Sequence, residues 1–131
     1  MIKFNELKVG DIVNAEYEGI IKEGEVIDLD WEDKLVCVQS DVQEFWYEEE
    51  HLFPIALDDA QLMKFGFEKV ENADGTVKYM KDAFRLLLPH KDDFSSFEIW
   101  YREDRRHITH PISVHELQNH YSGMTKVELA Y

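Results

Sequence analysis

The chain has 131 residues, a length typical of one compact domain or of two very small ones, which excludes the large multi-layer enzyme scaffolds. Its 44% apolar and 13% aromatic residues are enough to form a core, so we expect a folded, soluble protein. Lys and Arg number 14 against 28 Asp and Glu, and the net charge of -14 repels phosphate backbones and anionic lipid head groups. We therefore expect a protein partner, no direct contact with nucleic acid and no membrane association.

The first residues contain no apolar run of signal-peptide length, and no later segment approaches the ~18 apolar residues that a membrane span requires. This pattern predicts a cytoplasmic protein. The single cysteine, Cys37, lies in an apolar run and has no second cysteine for an intrachain disulfide, so we expect it to be buried.

Alternating apolar and polar residues, interrupted by turn residues, predict four short strands in the N-terminal half. These are Asp11 to Tyr17, Ile21 to Leu29, Lys34 to Gln39 and Gln43 to Tyr47. Four or five short strands in fewer than 60 residues favour a small closed or nearly closed β-barrel of the SH3-like type, because closure removes exposed strand edges. We assign this barrel to residues 1-57, which contain 4 Lys and no Arg against 15 acidic residues.

Residues 58-131 predict a small α+β unit packed against the barrel, so the fold class is mainly β (α+β). A short helix begins at Asp58 and Asp59 and ends at Gly66. An antiparallel β-meander follows, with strands at Phe67 to Asn72, Val77 to Pro89, Phe97 to Arg102 and His107 to Ile112. Ser113 then caps a C-terminal helix from Val114 to Tyr121, which Gly123 ends.

The N-terminal half resembles Tudor domains and the broader SH3-like barrels. The resemblance rests on Lys8 to Tyr17, on Glu25 to Leu29 and on the short turn from Glu50 to Ile55. It implies a small barrel, and many Tudor domains bind methylated Lys or Arg in a cage of aromatic rings. The segment from Gln39 to Val42 lacks the tyrosine that such domains usually supply there, so we do not transfer that activity to this chain.

Three motifs in order resemble a family of small uncharacterised proteins. They are NELKVGDIV at Asn5 to Val13, FPIALDDAQLMKFGFE at Phe53 to Glu68, and VHELQN at Val114 to Asn119. The genes of this family occur in gut-bacterial genomes, often in prophages or other mobile elements. The resemblance implies a phage or mobile-element context, and it implies no particular chemistry.

Three aromatic residues, Phe45, Trp46 and Tyr47, follow one another in a predicted strand. Successive strand residues face opposite sides, so at least one large ring must face outward. An exposed Trp beside acidic residues is typical of a protein-binding anchor. Trp31 lies in another acidic turn and could contribute to the same binding surface. The predicted partner-binding residues are Trp31, Trp46, Tyr47, Glu48, Glu49 and Glu50.

Four histidines, His107, His110, His115 and His120, lie within fourteen residues. His115 and His120 are five residues apart, about 140° around a helix, and His107 and His110 face opposite sides of a predicted strand. Metal sites need ligands on a common face, and the chain has neither a cysteine pair nor a His-Glu-x-x-His motif. We therefore predict no metal, no cofactor and no catalytic residues.

The sequence favours a non-enzymatic protein-interaction module that uses an acidic, aromatic barrel face to bind a protein, and the acidity of that face favours a partner with a basic surface. Two alternatives remain open. Clustered carboxylates could imitate DNA phosphates and inhibit a host DNA-binding enzyme. The histidines could instead converge with carboxylates in a small metal-dependent hydrolase.

Overall fold

A computed structural model describes residues 1-131. Strands account for 43% of the residues and helices for 18%, so the fold is mainly β with an α+β arrangement, as predicted. The chain forms two compact units. The first contains Met1–Ile55 with Ser113–His115, and the second contains Ala56–Ile112 with Glu116–Tyr131. Neither helix is long and apolar enough to span a membrane.

The first unit is built on a five-stranded antiparallel sheet with the strand order β4-β3-β2-β1-β5. Its strands are β1 (Ile12–Tyr17), β2 (Ile20–Asp30), β3 (Leu35–Ser40), β4 (Gln43–Tyr47) and β5 (Leu52–Phe53). Short 3-10 helices occur at Phe4–Glu6 and Glu49–His51. The four predicted strands are confirmed, whereas β5 was not predicted as a strand.

Successive side chains of each strand point to opposite faces of this sheet. Those on one face point inward, where apolar residues, mostly valine, form the core. Val13, Ala15, Val26, Val36 and Val38 are all buried, together with Phe4 and Leu52. Cys37 is also buried, as predicted. The outward positions of β1 and β3 are more polar, so the pattern in the sequence matches the two faces of the sheet.

Of the closed or nearly closed barrel that the sequence favours, the closed form is absent, because the sheet of the first unit does not close. β4 and β5 lie at opposite ends of the strand order and do not pair. β5 has only two residues, which pair with Asn14 and Ala15 of β1. The register places Glu16 opposite His51, which belongs to the 3-10 helix Glu49–His51 and not to a strand, so the ladder ends at Ala15. The sheet therefore keeps an open seam beyond Ala15.

The second unit contains a five-stranded antiparallel meander with the order β10-β9-β8-β7-β6, which confirms the predicted topology. Its elements are α1 (Asp59–Lys64), β6 (Glu68–Glu71), β7 (Val77–Lys81), β8 (Phe84–Leu88), β9 (Phe97–Tyr101), β10 (Asp104–Ile108) and α2 (Val114–Thr125). The Asp58 carboxylate accepts a hydrogen bond of 2.9 Å from the Gln61 N–H and caps α1. Gly66 follows α1 with a φ of 86°, the left-handed conformation expected there.

Two predicted strands in the second unit have wrong boundaries for a common reason. The single strand predicted from Val77 to Pro89 is two strands, separated by a turn in which Asp82 has a φ of 53°. The last strand is Asp104–Ile108 rather than His107 to Ile112, because the chain turns at Arg102 with a φ of 57°. Neither turn contains a glycine or a proline, the residues that mark a turn most strongly in a sequence.

The C-terminal helix is also longer than predicted. It continues through Gly123 to Thr125, and Lys126 has the left-handed φ of 64° that follows a helix end. Gly123 itself is helical, and an added Cβ there would meet nothing within 4 Å. This glycine is therefore a replaceable residue of the helix and not its end.

We predict opposite effects for alanine at two glycines. A Cβ at Gly24 would lie 2.6 Å from Val38 Cγ1 and 2.8 Å from the Gln39 carbonyl oxygen, which belongs to the backbone. Gly24→Ala should therefore lower the free energy of unfolding by about 1-3 kcal/mol. Gly123→Ala should raise it by up to about 1 kcal/mol, because alanine loses less conformational entropy in a helix.

Urea denaturation of the two variants and of the unaltered protein measures both effects. A Gly24→Ala protein as stable as the unaltered one would show that β2 and β3 are not in the close contact described above.

Candidate functional site

A groove of about 420 Å³ lies on the surface of the first unit, and we call it the aromatic groove. Its lining residues come from the end of β1, from β4 and from the 3-10 helix that follows β4. They are Glu16, Tyr17, Glu18, Phe45, Trp46, Tyr47, Glu48 and His51. The aromatic groove therefore occupies the region where the sheet remains open.

The aromatic groove follows the edges of two strands. Phe45, Trp46 and Tyr47 are consecutive in β4, and consecutive strand residues point to opposite faces of a sheet. A groove that contacts all three must therefore run along the edge of β4 and not across one face. The same argument applies to Glu16 and Tyr17 at the end of β1.

Three rings line the inner side of the aromatic groove. Tyr17 and Phe45 stack with their centroids 5.6 Å apart and their planes within 10°. Both residues are exposed, Tyr17 by 56% and Phe45 by 43%. Together with Tyr47 they line a smaller cavity of about 110 Å³ on the inner side of the sheet. The stacked rings thus leave apolar surface open to an incoming side chain.

Trp46 and the acidic residues lie on the outer side. Trp46 is 49% exposed, which confirms the prediction that at least one ring of the aromatic run faces outward. Glu16, Glu18 and Glu48 contribute three carboxylates to the groove, against one histidine. The outer side is therefore negative as well as aromatic.

Glu16 and His51 form the one close charge pair among the groove-lining residues. The carboxylate Oε2 of Glu16 lies 2.9 Å from Nδ1 of His51. Glu16 also accepts a hydrogen bond of 2.7 Å from the Gly19 N–H. The hydrogen bond with Glu16 raises the pKa of His51, and the same bond lowers the pKa of Glu16.

The three consecutive glutamates after Tyr47 have different roles. Glu48 lines the aromatic groove. Glu49 accepts a hydrogen bond of 2.7 Å from the backbone N–H of Phe4, so it fixes the N-terminal segment. The pKa of Glu50 is raised by a hydrogen bond with Glu48 and by the repulsion between the two carboxylates.

The structure brings together some of the predicted partner-binding residues and separates others. Trp46, Tyr47 and Glu48 meet in the aromatic groove. Trp31 is 63% exposed but packs edge-on against Phe4 at 4.9 Å and does not line the groove. Glu49 also faces Phe4. Of the six predicted residues, these two therefore lie apart from the groove, and Glu50 is connected to it through Glu48.

Five groove residues were not among the predicted site residues: Glu16, Tyr17, Glu18, Phe45 and His51. One signal for Tyr17 was present in the sequence. Tyr17 continues the inward alternation of Val13 and Ala15 to the end of β1, immediately before the Glu18-Gly19 turn. A large ring at the end of an inward-facing series lies at the mouth of a small barrel rather than in its centre.

The histidines near the C-terminus do not converge. His107 is exposed and lies 3.8 Å from Glu98, whereas its neighbour Arg106 contacts His120 at 2.7 Å. Because adjacent strand residues face opposite sides, His107 and His120 lie on different sides of β10. Burial lowers the pKa of His120. No three His, Cys, Asp or Glu side chains are grouped so that they could hold a metal ion.

A buried serine and histidine lie elsewhere in the first unit. The Ser113 hydroxyl is 2.9 Å from Nδ1 of His115, and both residues are buried. Asp11 is fully buried and forms an ion pair of 3.2 Å with Lys8. Burial raises the pKa of Asp11, although hydrogen bonds from Lys8 and the charge of Lys8 oppose the shift. These buried groups are closed to a substrate, so we assign them to the fold.

Comparison with models of known protein families, with curated proteins and with solved structures gives no match to this chain. The function is therefore inferred from the geometry and charge of the aromatic groove.

We predict that Glu16→Gln lowers the pKa of His51 towards the ordinary histidine value, because the charged partner of the imidazolium is removed. With a raised pKa, the attraction between His51 and Glu16 is fully present below the ordinary pKa of histidine. It is lost as the pH rises through the raised value. Titration of the imidazole resonances by NMR measures the shift.

Glu18→Gln is the matched control, because it removes a carboxylate from the same groove without removing the partner of His51. An equal fall in the pKa of His51 in both variants would mean that the general negative charge raises it, and not the contact with Glu16.

Proposed function

We propose that this protein is a non-enzymatic interaction module that binds another protein through the aromatic groove. The observation that carries the proposal is the grouping of exposed rings from two strands, Tyr17, Phe45 and Trp46, at an open seam of the sheet. Tyr and Trp contribute large rigid contact areas and are enriched among the residues that dominate binding energy. Rings in such a position support a role in recognition.

The charge of the first unit supports a partner with a basic surface. Residues 1-57 carry 4 Lys against 15 acidic residues, and three of the carboxylates line the aromatic groove. Charges of one sign around an interface steer an oppositely charged partner towards it and disfavour partners of the same sign. The proposed partner is therefore a protein with Lys and Arg at its contact surface.

The DNA-mimic alternative and our proposal attribute the binding affinity to different groups of the protein. A mimic binds through its carboxylates, so its affinity falls steeply as salt is added. An interface anchored on Trp46 depends mainly on the buried ring and only mildly on salt. The exposed rings of the aromatic groove favour the second description.

The context that we propose is the cytoplasm of a gut bacterium, with the gene in a prophage or another mobile element. This part of the proposal rests on the motifs at Asn5 to Val13, Phe53 to Glu68 and Val114 to Asn119. A host protein is then the natural class of partner, which makes a gut-bacterial lysate the appropriate source.

We predict that Trp46→Ala lowers the affinity for the partner about 30-fold, which corresponds to the ~2 kcal/mol typical of an interface hot spot. Capture from a gut-bacterial lysate with the tagged protein, at low and at high salt, would identify the partner by mass spectrometry. Calorimetric titration of the purified partner would then measure the affinity.

Trp31→Ala is the matched control, since Trp31 is as exposed as Trp46 but lies outside the aromatic groove. Glu18→Lys combined with Glu48→Lys tests the charges and leaves Glu49 free to hold Phe4. Binding that survives Trp46→Ala but is lost on charge reversal and at high salt would replace our proposal with the DNA-mimic alternative. Binding that depends on Trp31 alone would place the site elsewhere.

A further inference from the structure

We propose that the aromatic groove accepts an extended segment of the partner as an added β-strand, and that this segment alternates apolar residues with Lys or Arg. The inference deepens the proposed function and rests on it. It is supported by the unpaired backbone edges at the open seam and by the side chains around them.

The outer edge of β4 has no partner strand. β4 lies at the end of the strand order and pairs only with β3. Its five residues form no other backbone hydrogen bonds. An exposed edge of this kind presents N–H and C=O groups that can pair with another chain. Five residues in extended conformation span about 17 Å, enough for a short added strand.

The opposite side of the seam is also an unpaired edge. β1 pairs with β5 only at Asn14 and Ala15, although β1 continues to Tyr17. On the side of β5, Glu16 and Tyr17 pair with no strand, and the neighbour of Glu16 there is the 3-10 helix, whose His51 Nδ1 lies 2.9 Å from the Glu16 carboxylate. The aromatic groove is lined by these two edges together with Glu18, Glu48 and His51. A strand in the groove would pair with β4, meet the end of β1 and complete the barrel.

The side chains around the groove alternate in the same way as those of a strand. Tyr17, Phe45 and Tyr47 line the inner cavity of about 110 Å³. Glu16, Glu18 and Glu48 line the aromatic groove but not that cavity. An added strand would direct alternate residues to these two sides. Apolar residues fit the ringed inner side, and Lys or Arg fits the acidic outer side.

The probe is an acetylated and amidated octapeptide of alternating lysine and valine, titrated into the full chain by calorimetry. The matched control has four lysines followed by four valines, so it has the same composition and charge without the alternation. We expect the alternating peptide to bind at least about tenfold more tightly than the control, and Phe45→Ala to remove most of this difference.

A second pair of probes tests the backbone directly. Two versions of the alternating peptide carry N-methyl groups, one on all the lysines and one on all the valines. Methylation removes the N–H donors of one edge of the strand, and at least one version should lose most of its binding. Hydrogen exchange of the β4 amides should slow when the unmethylated peptide binds, because they gain partners.

Three outcomes would overturn strand addition. The first is equal binding of the alternating, block and N-methylated peptides, which indicates contact through side-chain charges alone. The second is no binding of any peptide. The third is self-association of the chain through β4, which the peptide does not reverse.

The proposed function is judged separately, by whether binding of the captured partner depends on Trp46. If that dependence holds while the peptides fail, strand addition is wrong and the interaction module stands. If both fail, the aromatic groove is not the binding site.

Discussion

The two-residue length of β5 determines where the first sheet remains open. A small barrel closes only if its last strand is long enough to satisfy the edges that the other strands leave. Here β5 covers only Asn14 and Ala15, because the residues before Leu52 form the 3-10 helix Glu49–His51 and do not extend the ladder. The end of β1 and the edge of β4 therefore face each other without pairing. The stacked rings of Tyr17 and Phe45 lie between the two edges and provide a packing contact in place of hydrogen bonds.

The two units differ in net charge. Residues 1-57 have a balance of -11 from 4 Lys and 15 acidic residues, whereas residues 58-131 have 10 basic residues against 13 acidic ones, a balance of -3. Some basic residues of the second unit are held on its own rings, since Arg105 lies 3.9 Å from the ring centroid of Trp100. The negative field is thus concentrated in the unit that carries the aromatic groove.

The sequence predicted the elements whose signals are local. Alternation located β1 to β4, and the carboxylate of Asp58 followed by Gly66 located α1. The turns at Asp82 and Arg102 were not predicted, because neither contains the glycine or proline that marks a turn most strongly, and the many exposed aspartates of this chain make a single Asp a weak signal. The sequence left open whether the barrel is closed or nearly closed, since closure depends on the length of β5 and on a curvature that no single segment encodes.

The same difference between local signals and features that depend on the whole fold applies to the candidate site. Trp46, Tyr47 and Glu48 are neighbours in sequence and were found together, and they meet in the aromatic groove. Tyr17 is 28 positions from Phe45, and only the curvature of the sheet brings their rings into contact. Trp31 shares composition with the site but lies in a turn at the Phe4 side of the unit. Composition therefore predicted that aromatic and acidic residues form the candidate site, and the topology of the sheet determines which of them lie there.

The acidic residues beside β4 have a second consequence, which concerns copies of the protein itself. An exposed edge strand with Phe45 and Trp46 would tend to pair with its equivalent on another molecule. Glu44 and Glu48 flank those rings on the same strand and turn, and like charges would meet when two such edges approach. These like charges therefore oppose the pairing of two copies of the protein through their β4 edges.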